Sequence, residues 1–198
     1  SGDQEIRFKY LKRFQTDEMI INCSNWFHKY GIAQLTYNII GLPFEDIHRA
    51  LKTVKLNARI KSDRVVPNIF YPYPGTELYD IAKRAGFVPD VIPPDCRVPL
   101  VQERFPEYEV LFVQAYFMHF VKRYKLAFRM KGRIGRLYEK WLDHRFTSRY
   151  VPHKFLVKVH DGYSAVRNKL KDFLVNFMPG LYLKLRMIKH HRRADKNA

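Results

Sequence analysis

The stretch QLTYNIIGLPFEDIHRALKTVKLNARIKSDRVVPNIFYPYPGTELYD, residues 34–80, decides the fold of this chain. Its pattern of apolar residues predicts a strand at residues 32–40, a helix at residues 44–60 and a second strand at residues 65–70. The strands are too far apart along the chain for a hairpin, so we expect them to lie parallel and to be joined by a right-handed crossover. The sequence therefore predicts an α/β fold.

Further helices are predicted on both sides of this unit. Residues 3–13 carry apolar residues at helical spacing, and Thr16 is a predicted N-cap for a helix that ends near Gly31. After the second strand, Thr76 is predicted to cap a helix that ends at Gly86. The expected order of elements is α-α-β-α-β-α.

The second half of the chain has a different pattern. Five prolines between residues 89 and 106 exclude a long helix and indicate a linker or an extended packed segment. Beyond them the pattern is only helical, with helices predicted at residues 107–130, 134–146, 155–177 (interrupted near Gly162) and 181–191. We therefore expect a β/α part at residues 1–88, a proline-rich linker at 89–106 and a basic all-α region at 107–198.

Positive charge is concentrated in that last region. Residues 1–106 hold 15 Lys and Arg against 12 Asp and Glu, a net +3, whereas residues 107–198 hold 21 against 7, a net +14. Such a region contacts a nucleic acid or an anionic membrane, or it only solvates helix faces. A nucleic acid is the less favoured partner, because the aromatic residues have helical core spacing: Val113, Tyr116, Phe117, Phe120, Tyr124 and Ala127.

The remaining composition limits the compartment. No run of 18 apolar residues occurs, so neither a transmembrane helix nor a signal peptide is predicted. Cys23 and Cys96 form neither a disulfide framework nor a metal motif, which favours a reducing cytoplasm. A short basic amphipathic stretch at residues 181–189 leaves docking on the inner face of the membrane as an alternative to packing.

Two segments follow the predicted strands and are the candidate ligand-binding segments. Ligand crevices in parallel β/α proteins form at the carboxyl ends of strands. By pattern alone, residues 38–43 are the structural end of a strand, and Glu45 and Asp46 are first-turn helix acids. The Pro-Gly segment at residues 70–76 is instead a rigid loop, which holds backbone groups in place for a ligand.

Taken together, four motifs resemble the second half of a radical S-adenosylmethionine (SAM) enzyme of the group with an N-terminal cobalamin-binding domain. The motifs are Ser1-Gly2-Asp3, YNIIGLP at residues 37–43, NAR at residues 57–59 and IFYPYPGTELY at residues 69–79. The resemblance covers residues 1–86 and depends on the combination, since Gly-Leu-Pro alone is a weak signal.

The resemblance implies a partial (β/α)6 barrel of which this chain would hold the fifth and sixth strands. In that family a Cys-x3-Cys-x2-Cys loop binds a four-iron four-sulfur cluster that cleaves SAM to a 5'-deoxyadenosyl radical. No such loop occurs here, so the cluster, cobalamin and strands one to four are expected in a missing N-terminal part. Ser1-Gly2 matches the end of a Glu-Ser-Gly signature, which implies that Ser1 is native and follows a glutamate.

The resemblance also implies which residues contact SAM. The predicted cofactor-binding residues are Ser1, Asn38, Ile40, Gly41, Asn68, Phe70 and Tyr71. Glu45 has the acidic position of the family's Gly-Leu-Pro-Gly-Glu turn, but Phe44 replaces the second glycine. This departure argues against a close approach of the backbone to the cofactor at the turn. No metal ligands and no catalytic residues are assigned within the chain.

Two functions follow as hypotheses. In the first, the chain is the C-terminal part of a radical SAM enzyme for methyl transfer or rearrangement on an unnamed substrate, and it is inactive alone. In the second, it is a non-catalytic binding module whose basic helical region docks on an anionic membrane surface.

Overall fold

A computed structural model describes residues 1–148 and 150–194, without the side chains of residue 185 and residues 188–194. The elements in chain order are α1 (Gln4–Lys9), α2 (Asp17–Lys29), β1 (Leu35–Ile40), α3 (Ile47–Arg59), β2 (Arg64–Ile69), α4 (Glu77–Arg84), α5 (Glu107–Arg129), α6 (Gly132–Thr147), α7 (His153–Phe177) and α8 (Pro179–Ala194). The chain forms two compact units, one that ends at Lys154 and one that begins at Phe155. Helices α5 and α6 therefore belong to the same unit as the strands.

The first unit is mixed α/β and mostly helical. Strand β1 pairs with β2 in parallel, in a register that runs from Leu35 opposite Arg64 to Ile40 opposite Ile69. Helix α3 connects the two strands, as an α/β crossover requires. The predicted parallel pair is confirmed, and β1 and β2 are the two strands found among the described residues.

The helix starts follow from side-chain caps. Thr16 accepts a hydrogen bond from the Met19 N–H at 3.2 Å, and Thr76 accepts one from the Tyr79 N–H at 3.3 Å, as predicted. Helix α3 begins three residues later than predicted, because Asp46 is its N-cap and accepts from the Arg49 N–H at 2.8 Å. The prediction that residues 44–46 are helical was therefore wrong.

Two further boundaries differ from the prediction. Strand β1 begins at Leu35 rather than Ile32, because the Ile32 N–H donates to the Phe27 carbonyl at 2.8 Å and so belongs to the end of α2. Helix α7 is continuous through Gly162, so the predicted break is wrong. A single glycine inside a helix destabilises it by only about 1 kcal/mol relative to alanine, too little to interrupt 25 residues.

Helix α5 forms the centre of the core. Of its predicted stripe, Tyr116 is half-buried and the others are buried: Val113, Phe117, Phe120, Tyr124 and Ala127. Helix α5 packs against α3, α6 and the sheet. The proline-rich segment before it is also packed, with Val98, Leu100 and Phe105 buried. The structural interpretation of the stripe is therefore confirmed.

The two faces of the sheet differ in coverage. Asn38 and Ile40 of β1 are buried on the covered face, where α3 and α5 pack. Leu35, Tyr37 and Ile39 alternate with them and remain 48%, 71% and 38% exposed. We call the face formed by these three residues and by Arg64, Val66 and Asn68 opposite them the open face.

The second unit also exposes apolar side chains. On α7, seven residues that recur every three or four positions are each 49–74% exposed: Phe155, Val159, Tyr163, Val166, Leu170, Phe173 and Phe177. We call this set the α7 stripe. Within the described residues, none of the helices combines the length and the apolar character that crossing a bilayer requires.

Candidate functional site

The carboxyl ends of β1 and β2 meet at one edge of the sheet. Ile40 is the register partner of Ile69, and the Phe70 N–H donates to the Ile40 carbonyl at 2.8 Å. This pairing brings the segment after β1, which begins at Gly41, beside the loop that contains Tyr71. The structure thus brings together the two segments that the sequence selected as the candidate site.

The side chains of Asn38 and Ile40 lie on the covered face of β1. The Asn57 side-chain amide donates to Asn38 Oδ1 at 2.7 Å, and Ile40 is fully buried. The family resemblance selected these two positions, but neither side chain reaches the open face. The side chains that reach that face are Tyr37 and Ile39, which the sequence reasoning did not select. The alternation of side chains along a strand was the signal that could have identified them.

Gly41 has two reasons to be glycine. Its φ of +73° lies in the left-handed region, which favours glycine. A Cβ at this position would lie 3.2 Å from Val110 Cγ1 on α5 and 3.7 Å from Ile69 Cγ2. The close packing of α5 therefore accounts for this glycine, whether or not a ligand also approaches its backbone.

The turn after β1 has the conformation of a glycine turn without the second glycine. Phe44 has a φ of +63°, a left-handed value that is strained for a residue with a large side chain. Gln102 holds this turn from both sides: its Oε1 accepts from the Phe44 N–H at 2.8 Å, and its Nε2 donates to the Leu42 carbonyl at 3.1 Å. The backbone at this position is therefore left-handed, as a glycine would be, although the residue is Phe44 and carries an aromatic ring.

That ring joins an aromatic cluster. The Phe44 ring stacks on Tyr10 at a centroid distance of 5.0 Å and meets Phe87 edge to face at 5.1 Å. These contacts offset part of the backbone strain. Phe44 is still partly exposed, so its ring forms part of the surface at the carboxyl edge of the sheet.

Glu45 is a buried carboxyl group at the same turn. Its Oε2 accepts from the Leu42 N–H at 3.1 Å, and its Oε1 has no hydrogen-bond partner among the described residues. Burial raises the pKa of Glu45 to about 7, and hydrogen bonds from the Leu42 and Gly41 N–H groups oppose this shift. Glu45 therefore exchanges a proton near neutral pH. The prediction that it is a first-turn helix acid was wrong, because α3 begins beyond it.

The loop after β2 carries the accessible members of the predicted site. Asn68 is exposed on the open face opposite Ile39, and Phe70 is half-buried. The Tyr71 ring lies 4.9 Å from the Tyr73 ring, and both side chains are exposed. Asn68 near the end of β2 and Tyr71 in the loop are therefore the predicted site residues here whose side chains are exposed to a ligand.

The Ser1-Gly2-Asp3 segment packs on α3. The Gly2 N–H donates to Thr53 Oγ1 at 2.7 Å, and a Cβ on Gly2 would lie 2.4 Å from Thr53 Cα, so only glycine fits. Although burial opposes its ionisation, hydrogen bonding to Lys52 holds the pKa of Asp3 below its usual range. The Ser1 amino group interacts electrostatically with Glu45. Ser1 therefore lies close enough to Glu45, in the turn after β1, for an electrostatic interaction.

Neither cysteine belongs to a candidate metal site among the described residues. Cys23 is exposed on α2, and Cys96 is partly buried in the proline-rich segment, where its Sγ lies 3.3 Å from the Val98 carbonyl oxygen. Across residues 1–148 and 150–194, no group of three or more His, Cys, Asp or Glu side chains could hold a metal ion. The described residues therefore bring together no set of ligands for an iron–sulfur cluster.

Comparison with known proteins adds no assignment. No known family model matches this sequence, and no curated protein matches it either.

Proposed function

We propose that this chain is the C-terminal part of a radical SAM enzyme and supplies the fifth and sixth strands of its barrel. The observation that carries the proposal is the open face of the sheet. Parallel sheets are normally covered on both faces, yet Leu35, Tyr37 and Ile39 are exposed on a face that carries no packed helix among the described residues.

Four further strands would account for this exposure. They would extend the sheet from the free edge of β1 and curve around the open face, which would become the barrel interior. Helices α3 and α5 already lie on the opposite face, where the outer helices of a β/α barrel lie. In this proposal, the partner that covers the open face would be an N-terminal part of the same protein.

The residues at the carboxyl edge fit one side of a SAM site. Asn68 and Tyr71 offer polar and aromatic side chains, and Gly41 directly follows β1 at the same edge. The four-iron four-sulfur cluster, and cobalamin if present, would be held by the missing part and would supply reductive cleavage of SAM and methyl transfer. The part of this chain is to bind and orient SAM and to exclude water, with the aromatic side chains of Tyr37 and Phe44 nearby.

The coding sequence tests this proposal first. We expect the open reading frame to continue upstream with a glutamate directly before Ser1 and, further upstream, a Cys-x3-Cys-x2-Cys loop. We also expect that the 198-residue chain, treated with iron and sulfide, gives no absorbance of a four-iron cluster, whereas the extended protein gives it. A reading frame without these features, or a cluster on the short chain, would contradict the proposal.

A second candidate function is supported by the α7 stripe. A row of seven exposed apolar side chains on one helix is typical of an interaction surface. Its flanks are mainly basic, with Lys158, Arg167, Lys169 and Lys171 against Asp161 and Asp172. An anionic membrane surface matches an apolar face with this charge, whereas a second copy of the same basic helix would be repelled. We therefore assign the stripe to an anionic membrane.

Vesicle flotation tests the membrane assignment. Binding to phosphatidylglycerol vesicles should exceed binding to phosphatidylcholine vesicles, and the pair Leu170→Ser and Phe173→Ser should abolish it. The matched control is Ile134→Ser with Leu137→Ser, two exposed apolar residues of α6. Flotation that is lost equally in both double variants would contradict a role of the stripe, and so would a stable dimer that the stripe variants dissociate.

A further inference from the structure

A cavity lies near the amino ends of the strands, at the opposite end from the candidate SAM site. It has a volume of about 610 Å³, within the range of small-molecule sites. Its apolar lining comes from three helices, with Ile21 on α2, Ala58 on α3 and Phe128 on α5. All three belong to the first compact unit.

The polar lining of this cavity consists of four cations, Arg59, Lys61, Lys125 and Arg129. No acidic side chain lines it, and none of the four has an ion pair with an acid within 4 Å among the described residues. The nearest compensation is electrostatic attraction between Lys125 and Asp63, a residue outside the lining. Four like charges around one cavity attract an anion.

Lys125 shows the consequence of this crowding. Its Nζ donates to the Ser62 carbonyl at 2.6 Å, which fixes the ammonium group at the cavity. Burial lowers the pKa of Lys125, repulsion from Lys122 and Lys61 lowers it further, and Asp63 opposes the shift. A bound anion would offset both the repulsion among these lysines and the loss of hydration of the Lys125 ammonium group.

Local features place two of the other cations, Lys61 and Arg59. Lys61 has a φ of +53° directly after α3, at a position where glycine is the usual residue because the left-handed backbone strains other residues. The Arg59 guanidinium lies 5.8 Å from the centroid of the Phe128 ring. This contact holds the guanidinium beside an aromatic ring while its N–H groups stay available to oxygen atoms.

We propose that this cavity binds a phosphate monoester that carries a small apolar or aromatic group. A phosphate dianion matches several cations at once and accepts paired hydrogen bonds from arginine. The apolar group would lie against Phe128, Ile21 and Ala58. The phosphate can belong to a soluble ester or to the headgroup of a phosphatidic acid, since both present the same monoester. The site does not depend on the proposed radical SAM function.

Phenyl phosphate is the probe for this site. In titrations of the 198-residue chain followed by methyl NMR, we expect it to shift the methyl signals of Ile21 and Ala58. Inorganic phosphate should bind about tenfold more weakly, because it lacks the apolar group. Equal affinity of the two ligands would overturn the apolar half of the proposal, and shifts confined to other methyl groups would overturn the location.

Two double variants with equal loss of charge test the cations. Arg59→Gln with Arg129→Gln should weaken binding of phenyl phosphate about tenfold or more. Arg133→Gln with Arg136→Gln, two exposed arginines of α6 outside the cavity, should change it less than about twofold. Equal weakening in both variants would overturn the proposal by showing only general attraction to a basic protein.

A last arm distinguishes the two sources of the phosphate. Vesicles that contain phosphatidic acid should displace phenyl phosphate if the lipid headgroup is the ligand, and should leave it bound if the ligand is soluble. In both cases the Arg59→Gln and Arg129→Gln variant should bind less of the ligand concerned. Circular dichroism melting of each variant checks that it folds, and absence of phenyl phosphate binding by the folded wild type would overturn the proposal.

Discussion

The two faces of the β1–β2 sheet share one backbone and differ in what covers them. On the covered face, Asn38 is bonded to Asn57 and Ile40 is fully buried beneath helices. On the open face, Tyr37 and Ile39 alternate with them and are exposed. Parallel strands are normally covered on both sides, so the exposure of one face is the observation on which the proposed barrel depends.

Helices α5 and α7 show the same contrast. Both are long, rich in aromatic residues and basic, and both repeat apolar residues every three or four positions. The stripe of α5 is buried in the core, whereas the α7 stripe is exposed. Helical spacing alone therefore does not predict whether an apolar stripe is buried in the core or exposed on the surface.

The largest expected effect is the loss of stability when a buried side chain of α5 is truncated. Phe117→Ala removes a fully buried ring of α5 and should lower the free energy of unfolding by about 3–5 kcal/mol in urea titrations. The matched change Phe173→Ala on the α7 stripe should alter it by less than about 0.5 kcal/mol. Comparable losses would mean that the α7 stripe is packed in the native protein.

The next effect concerns the buried carboxyl group at the end of β1. Because burial raises the pKa of Glu45 to about 7 from an ordinary 4.5, the folded chain keeps this proton to higher pH than the unfolded chain. Its stabilising contribution is complete below about pH 4.5 and falls by about 3 kcal/mol as the pH rises through about 7. Glu45→Gln should remove this part of the pH dependence, measured as the difference between the two urea titration series. A difference that is independent of pH would contradict the burial of Glu45.

A pair of asparagines gives a smaller and more specific comparison. Asn57→Ala removes the amide that bonds to Asn38 on the covered face, and it should destabilise the chain by about 1–3 kcal/mol. Asn68→Ala on the open face should change stability by less than about 0.5 kcal/mol. Urea titration of both variants is sufficient. Equal effects would show that the two faces are equally covered.

The smallest effect in the isolated chain should become larger in the extended one. Tyr37→Ala should alter the stability of the 198-residue chain by less than about 0.5 kcal/mol, because its side chain is exposed. In a protein that contains the remaining strands, the same change should destabilise by several times that amount, because the ring would lie in the barrel interior. A neutral effect in both proteins would leave the open face as ordinary surface.

The sequence predicts much of this fold because local chemistry decides it. Thr16 and Thr76 are caps by residue type, and the spacing between the strands requires a parallel pair. The turn at Phe44 and Glu45 could not be predicted, because its shape depends on Gln102, which is distant in sequence. The sequence also did not predict which side chains of β1 face the core. The apolar run Ile39-Ile40 does not show which of the two residues is buried.

We propose that the carboxyl edge of this sheet, next to the open face, forms one side of a SAM site. The most direct test is formation of 5'-deoxyadenosine from SAM by the anaerobically purified and reconstituted protein encoded by the extended reading frame, in the presence of dithionite. The account predicts this product with the extended protein and none with the 198-residue chain. A reconstituted extended protein that binds a cluster and leaves SAM intact would contradict it.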